Sequence, residues 1–516
     1  MIHHTDVLII GAGIAAGAAA LTAADRGRQV TMATRLAEPI DCATGHAQGG
    51  IIYKGENDYP DLLVRDILEA GAGISSDEAA RQLAQRGPQL VESVLLERLG
   101  VAFDRDEQGA FDITEEGAHS LPRILHVGDL TGRAIEEQLL GAVRHHPNIQ
   151  FLSQATAIDL LTLSHHSRDR RDVYRPPTCV GAYLLDHATN QVDVHFAREI
   201  VLATGGLGQI FLHTTNPPGA RGDGIAMAYR AGARLINLEY IQFHPTTLYV
   251  DSSNFLISES LRGEGGVLVD AEGRPFMDKY HPRGSLAPRD IVARAIHEEM
   301  LGQGIPCVYI DITDKPADWL RNRFPNIHRR CLEEGIDLTA DPIPVVPAAH
   351  YSCGGVAADL QGHTSIDRLW AVGEVSCTGL HGANRLASTS LLEGLVWGVE
   401  SGQAIADRLD ARDYYFPQVD EWKHENEPTD PALINQDWMT IRYTMWNYVG
   451  LVRSRRRLQR ARHILRELQM EVEDFYRRAA VSDAMIGLRN GVQTALAVTF
   501  AALENPQSIG CHYRTD

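Results

Sequence analysis

The stretch that most constrains the fold is Val7 to Gly17, VLIIGAGIAAG. Val7 to Ile10 are apolar without alternation, as in a strand buried on both faces. Gly11-Ala12-Gly13 then makes a turn open only to residues of little bulk, and Ala15 to Arg26, alanine-rich and ended by Gly27, reads as a helix. The next apolar run, Gln29 to Ala33, supplies a second parallel strand, so the chain opens on a βαβ unit. Such a helix points unpaired amides and its positive dipole end at the turn, which suits the pyrophosphate of a dinucleotide. Ala16 fills the third position of the G-x-G-x-x-A pattern, where close helix-to-strand packing is needed. Thr34-Arg35 stands where an acidic residue would take the adenosine ribose, and an arginine there is open to a 2′-phosphate.

At 516 residues the chain exceeds one compact core, so two or three domains are expected. The net charge of −19 argues against nucleic acid as a partner. It also means that an anionic ligand needs a local cluster of Arg and His against the field of the molecule. No apolar run approaches membrane-spanning length, and the opening MIHHTDVLII lacks the order of a signal peptide, so no membrane partner is expected. The seven cysteines are odd in number and show no C-x-x-C spacing, which predicts reduced thiols in a cytoplasmic chain, with no metal site and no iron–sulfur cluster.

Downstream, DCATGHAQGGIIY at 41 to 53 is rich in small residues that let backbone pass close to a ligand. Residues 60 to 100 read as two amphipathic helices and Phe111 to Leu125 as a loop. A helix capped by Asp129 or Thr131 follows, to about Val143. From Ile149 to Ala203 the periodicity is that of strands, interrupted by an exposed loop with His165 and His166 solvated. A helix is expected over Ile225 to Ala231. The segment from about Leu238 to Ala349 leaves this alternation, and LWAVGEV at 369 to 375 returns to it. After a polar linker to Gln436, Leu451, Leu458, Leu465, Leu468, Val472 and Phe475 recur at helical spacing, among arginines 453, 455, 456, 457, 460 and 462 that read as a solvated face. The expected fold is α/β, α+β overall. It has a discontinuous Rossmann-like domain over 1–237 and 353–415, an inserted α+β capping domain over 238–352, and a C-terminal helical bundle over 430–516.

GAGIAAG at 11 to 17 is followed in order by AQGG at 47 to 50, ATGG at 203 to 206, TTNP at 214 to 217, GDGIAMA at 222 to 228 and QFHPT at 242 to 246. Then come LRGEGG at 261 to 266, APRDIVARAI at 287 to 296, VPAAHYSCGGV at 346 to 356, and GEVSCTGLHGANRLAS with SLLEGLVWG over 373 to 398. This string, nearly the whole chain long, resembles the L-aspartate oxidases of the succinate dehydrogenase and fumarate reductase flavoprotein superfamily. The resemblance implies FAD rather than NADP. It places the cofactor against Gly11, Ala12, Gly13, Ile14, Ala15, Arg35, Ala43, Thr44, Gly45, His46, Ala47, Gln48, Gly49, Gly50, Asp223, Glu374, Ser390 and Leu391. Relatives that tether FAD do so through a histidine at the position of Ala43, so the cofactor is expected to be non-covalent, with His46 packing nearby.

For the substrate, the resemblance implies L-aspartate, with two carboxylates to hold so that one C–H bond points at flavin N5. Gln242, His244 and Ser258 match the groups for one carboxylate, His350 and Arg385 those for the other, and Arg289 the arginine that moves a proton in fumarate reduction. Catalysis is thus expected to rest on Arg289, His244, His350 and Glu116. Glu116 matches the carboxylate that faces the substrate ammonium, with Glu115 next door leaving that assignment open by one residue. The implied product is iminoaspartate, with O2 or fumarate as electron acceptor and quinolinate synthase as the next enzyme in NAD synthesis. Two other readings stay open. One is a succinate dehydrogenase or soluble fumarate reductase flavoprotein, against which Ala43 and the lack of cluster cysteines weigh. The other is a non-catalytic flavin-binding protein, against which Arg289, His350 and Arg385 weigh. The closing SIGCHYRTD carries Ile509 where relatives have arginine, and a shorter or looser bundle is expected from it.

Overall fold

The computed structural model describes residues 1–250, 255–423 and 427–516. The opening unit consists of β1 (Ile2–Ile10), α1 (Ile14–Asp25) and β2 (Val30–Ala33). β1 begins well before the apolar run because its exposed first half still pairs in register with the strand Gln191–Leu202. Backbone pairing, not burial, sets that end. Five strands run parallel in the order Ile149–Leu152, β2, β1, Gln191–Leu202 and Leu369–Ala371. Cys179–Asp186 and Ala155–Thr162 extend the sheet in antiparallel fashion from the first half of Gln191–Leu202.

α1 is buried almost all round. It packs on the helix Thr389–Asp410, where Gly394, Gly398 and Gly402 face it. A Cβ added at Gly398 would lie 2.6 Å from the Ala15 carbonyl oxygen, so the two helices approach at backbone distance. This packing fixes the turn before α1 at the C-terminal edge of the parallel strands, where such sheets bind ligands.

Between the two parts of this sheet lies a four-stranded antiparallel sheet in the order Ile241–Leu248, Ile343–Ser352, Val308–Asp311 and Val267–Val269. The helix Arg289–Gln303 packs its buried Val292, Ala293 and Ile296 on it. Three helices follow toward the chain end, Pro431–Val449, Arg455–Arg478 and Asp483–Glu504. Among the described residues no helix is long and apolar enough to cross a membrane.

Several local expectations are corrected. The helix Thr131–His145 uses neither Asp129 nor Thr131 as its cap: the Thr131 hydroxyl accepts from the Val127 amide, and Asp129 takes the side-chain amide of Asn326. The helix expected from Ile225 starts at Asp223, directly after Gly222 in the left-handed region at φ 79°. The helix expected after Gln436 starts at Pro431, with Asp430 accepting from the Ala432 amide. Arg453 is not on a solvated face. It is fully buried and donates to the carbonyls of Val449, Gly450 and Glu239. Nor is the chain end loose, since Cys511 donates to the Ala383 carbonyl at 2.9 Å and Ile509 packs on Tyr240, Tyr351, Cys353 and Ala383.

Candidate active site

A cavity of about 460 Å³ opens along the C-terminal ends of the parallel strands. Four of the five parallel strands end on residues that line it: β1 on Gly11, β2 on Thr34 and Arg35, Gln191–Leu202 on Thr204 and Gly205, and Leu369–Ala371 on Gly373 and Glu374. Gly11 has φ +137°, and a Cβ there would sit 2.0 Å from the Ala203 carbonyl oxygen, so the turn admits no side chain. The N-cap of α1, Gly13, brings no side chain to close the helix end, while Thr44 accepts from the Ile14 amide at 3.0 Å and draws the 41–50 segment across it. Amides, a dipole end and bare backbone around an elongated cavity fit the dinucleotide that the sequence implies, including its pyrophosphate.

Of the residues expected at the cofactor, all but Gly45 line this cavity. Gly45 serves packing instead, because a Cβ there would lie 1.9 Å from the Ile40 carbonyl oxygen. Arg35 is held from a distance in sequence, with its Nε and Nη2 donating to the two oxygens of Asp483 at 3.1 and 2.8 Å. Arg221 shares Asp483 and also grips Asp223, whose other oxygen accepts from Asn490. The last helix therefore braces two cavity residues through Asp483 and Asn490. Glu374 is half-buried on the cavity wall, and burial pushes its carboxyl up to about 7 although the Ser352 amide donates to it.

A second set of lining side chains is cationic. Arg385 donates to Nε2 of His350 at 3.1 Å. A guanidinium cannot accept, so Nε2 is the bare nitrogen and Nδ1–H faces the Thr215 hydroxyl at 2.8 Å. The His244 ring stands edge-on to His350 with centroids 5.7 Å apart. The strand Ile241–Leu248 shifts register after His244 and again at Gln242, and this irregular ladder turns His244 into the cavity. Burial, and after it Arg289 and Arg262, hold His244 far below the ordinary imidazole range. Burial and Arg385 do the same to His350. Arg289 donates from Nε to Glu259 at 2.8 Å, and Glu259 also takes Arg262 at 2.9 Å. Burial opposes charge on Glu259, but the two arginines outweigh it and keep the carboxyl below its usual range.

Glu116 lines the same cavity and accepts from the Ser388 hydroxyl at 2.6 Å, whereas Glu115 is exposed and off the wall. The loop carrying Glu116 is anchored by buried Arg123, which meets Asp58 and Asp66, and by Asp66 accepting from Ser120. Gln242 and Ser258 do not line the cavity. Gln242 instead clasps Arg385, accepting from its Nε at 3.2 Å and donating to its carbonyl at 2.9 Å. Ser258 caps the short helix Glu259–Gly263. Sequence reasoning missed Glu259, Arg262, Thr215 and Asp483. Glu259 precedes the quoted LRGEGG run and was within reach of it, while Asp483, 448 positions from Arg35, left no local signal.

Residues 6–391 match the model of the FAD binding domain family, and residues 439–516 match that of the fumarate reductase flavoprotein C-terminal family. The chain is 43% identical over 525 residues to L-aspartate oxidase of Pseudomonas aeruginosa, covering all of this chain and 96% of that one. It is 44% identical to L-aspartate oxidase of Halobacterium salinarum, covering 99% of this chain and 96% of that one. Among solved structures it resembles a quinol-fumarate reductase with menaquinol molecules (TM-score 0.87, 26% identity, 100% and 93% coverage). It likewise resembles Mycobacterium smegmatis Sdh1 in complex with UQ1 (TM-score 0.84, 30% identity, 100% and 89% coverage).

Proposed function

The chain belongs to the L-aspartate oxidases, among the succinate dehydrogenase and fumarate reductase flavoproteins, with FAD as its cofactor, and from that premise we propose how its residues divide the work. The reaction is oxidation of L-aspartate to iminoaspartate. The chemistry that bound FAD supplies is acceptance of the hydride from Cα and delivery of the electron pair to O2, as hydrogen peroxide, or to fumarate. The cofactor is held without a covalent bond by the residues of the glycine turn, the 43–50 segment, Arg35, Asp223, Glu374, Ser390 and Leu391. Segment 238–352 acts as the cap over the discontinuous cofactor domain, and 430–516 as the helical bundle.

The observation that carries the reading is a carboxylate, Glu116, lining the same cavity as Arg289, Arg385, His244 and His350 and close enough to act on the charge of Arg289. That pattern complements a ligand with two carboxylates and one ammonium. His350 and Arg385 take one carboxylate, with Gln242 positioning Arg385, and His244 takes the other. The amine must shed a proton before its lone pair can stabilise the carbon losing hydride, and Glu116 is the base beside it. Arg289, ion-paired through Glu259 to Arg262, binds the anion in this direction and moves the proton when fumarate is reduced. Iminoaspartate passes to quinolinate synthase in NAD synthesis in the cytoplasm.

Anaerobic mixing with L-aspartate or with succinate, followed by air, tests the proposal. L-aspartate is expected to bleach the oxidised flavin, with air restoring the colour and yielding peroxide. Bleaching by succinate alone would replace this reading with a dicarboxylate dehydrogenase. Glu116→Gln should lower kcat/KM for L-aspartate by about 10–100-fold, the worth of one hydrogen bond to a charged group, while fumarate reduction stays within a few fold.

A further inference from the structure

Cysteine spacing offers no metal site, but the sheet register brings together ligands that sequence spacing hides. β1 pairs with Gln191–Leu202 so that His3 lies opposite His195. Asp193, two positions before His195 on one strand, shares its face of the sheet. Nε2 of His3 is 3.0 Å from Oδ2 of Asp193. The His3 and His195 rings stack with centroids 4.4 Å apart, and one donor atom from each of the three residues lies within 4.8 Å of the others. None of the three lines the cofactor cavity. At about 3.3 Å per residue, His3 is roughly 23 Å along β1 from Ile10 at the cavity edge, too far to touch a flavin.

The geometry points to a divalent transition-metal site formed by His3, Asp193 and His195, with water completing the coordination of an ion such as zinc. Two imidazoles and one carboxylate are a borderline donor set that suits zinc or cobalt. Ligands about 2.0–2.1 Å from a tetrahedral ion lie roughly 3.3 Å apart, close to the present separation of His3 and Asp193. His195 is buried on the central strand, which fixes the position of its ring. In a stack the ring lone pairs run parallel and cannot converge on one ion. Ligation therefore turns His3, whose side chain is 43% exposed, out of the stack. The competing cation is the Met1 amine, which already pairs with Asp193, so the ion displaces that pair. His4 points the other way, against Phe196 and Phe416, and is no ligand. The bound ion staples the exposed first half of β1 to the central strand.

Titration of the flavin-loaded protein with Zn2+ by calorimetry, repeated with Co2+ and followed by visible absorbance, tests the site. The expected result is one ion per chain and a rise in Tm on zinc addition. His3→Gln, at an exposed position that leaves the core intact, should weaken binding at least tenfold and abolish the Tm rise, as should Asp193→Asn. Both variants should keep flavin content and L-aspartate turnover within twofold of the parent. Zinc affinity unchanged in both variants would assign the ion to other groups and overturn the site. Failure to take up either ion would overturn it as well.

Discussion

The wall of the cavity that follows the strand ends is backbone: the Gly11 turn, the uncapped end of α1 and the 43–50 segment. The cationic wall is side chain, delivered from separate places, with His244 on an irregular strand, Arg289 at the start of a helix, and His350 and Arg385 from either side of the return to the parallel sheet. The first wall needs the absence of atoms, and the second needs charges held against desolvation. Damage to the first should therefore remove the cofactor, while damage to the second should leave a flavoprotein that no longer turns over.

The most severe break is Gly11→Val. The position combines φ +137° with a Cβ path 2.0 Å from the Ala203 carbonyl, so both strain and overlap arise, each worth about 1–3 kcal/mol. The purified variant should carry less than about a tenth of the parent flavin per chain by absorbance. Full flavin content would mean that the turn is not what excludes side chains.

Arg289→Gln probes the other wall. It removes a charge that Glu259 holds in place at 2.8 Å, and the loss should cost about 10²–10⁴-fold in kcat/KM for fumarate reduction, where this side chain moves the proton, with flavin content unchanged. Steady-state kinetics beside a flavin spectrum separates the two quantities. Loss of flavin in this variant would erase the distinction between the walls.

The same contrast explains what the sequence could reveal. A backbone wall is written in consecutive residues, so VLIIGAGIAAG alone yields strand, turn, helix and ligand class, and the parallel sheet follows from it. A side-chain wall is assembled across the chain, and motif resemblance can nominate its members without saying which of them touch the cavity. The resemblance points to Gln242 and Ser258 as direct contacts. The fold instead uses one to clasp Arg385 and the other to start the helix bearing Glu259. Which of Glu115 and Glu116 faces inward was also beyond the sequence, because the loop's course depends on buried Arg123 meeting Asp58 and Asp66.

A pH series sharpens the comparison further. His244 and His350 are held below their ordinary range by burial and neighbouring arginines, so both are neutral in the free site at pH 7. A bound dicarboxylate offsets those arginines and raises both histidines, so binding takes up protons and tightens as pH falls from 8 toward 6. The inhibition constant of succinate against L-aspartate should fall severalfold over that interval. FAD affinity, set by the other wall, should change much less. A succinate constant that rises on acidification would show that the histidines do not hold the anion.

A milder effect than the loss of either wall falls on a residue that belongs to neither. Asp483 stands at the start of the last helix and binds Arg35 and Arg221 together, which makes it the link between that helix and the cavity wall. The two arginines hold its carboxyl well below the usual range even though burial pushes the other way. Asp483→Asn keeps the shape and one acceptor while removing the charge, so Arg35 stays near its place with less restraint. FAD affinity should weaken about tenfold, equivalent to about 1.4 kcal/mol, with kcat at saturating FAD unchanged. Reconstitution of the apoprotein with FAD, followed by flavin fluorescence quenching, measures the first, and turnover in excess FAD measures the second. If both fall together, the bundle is shaping the reacting centre as well as the cradle, and the division into two walls is too simple. If only the affinity falls, the last helix is a brace for the cofactor, built from a part of the chain in which no nucleotide motif is written.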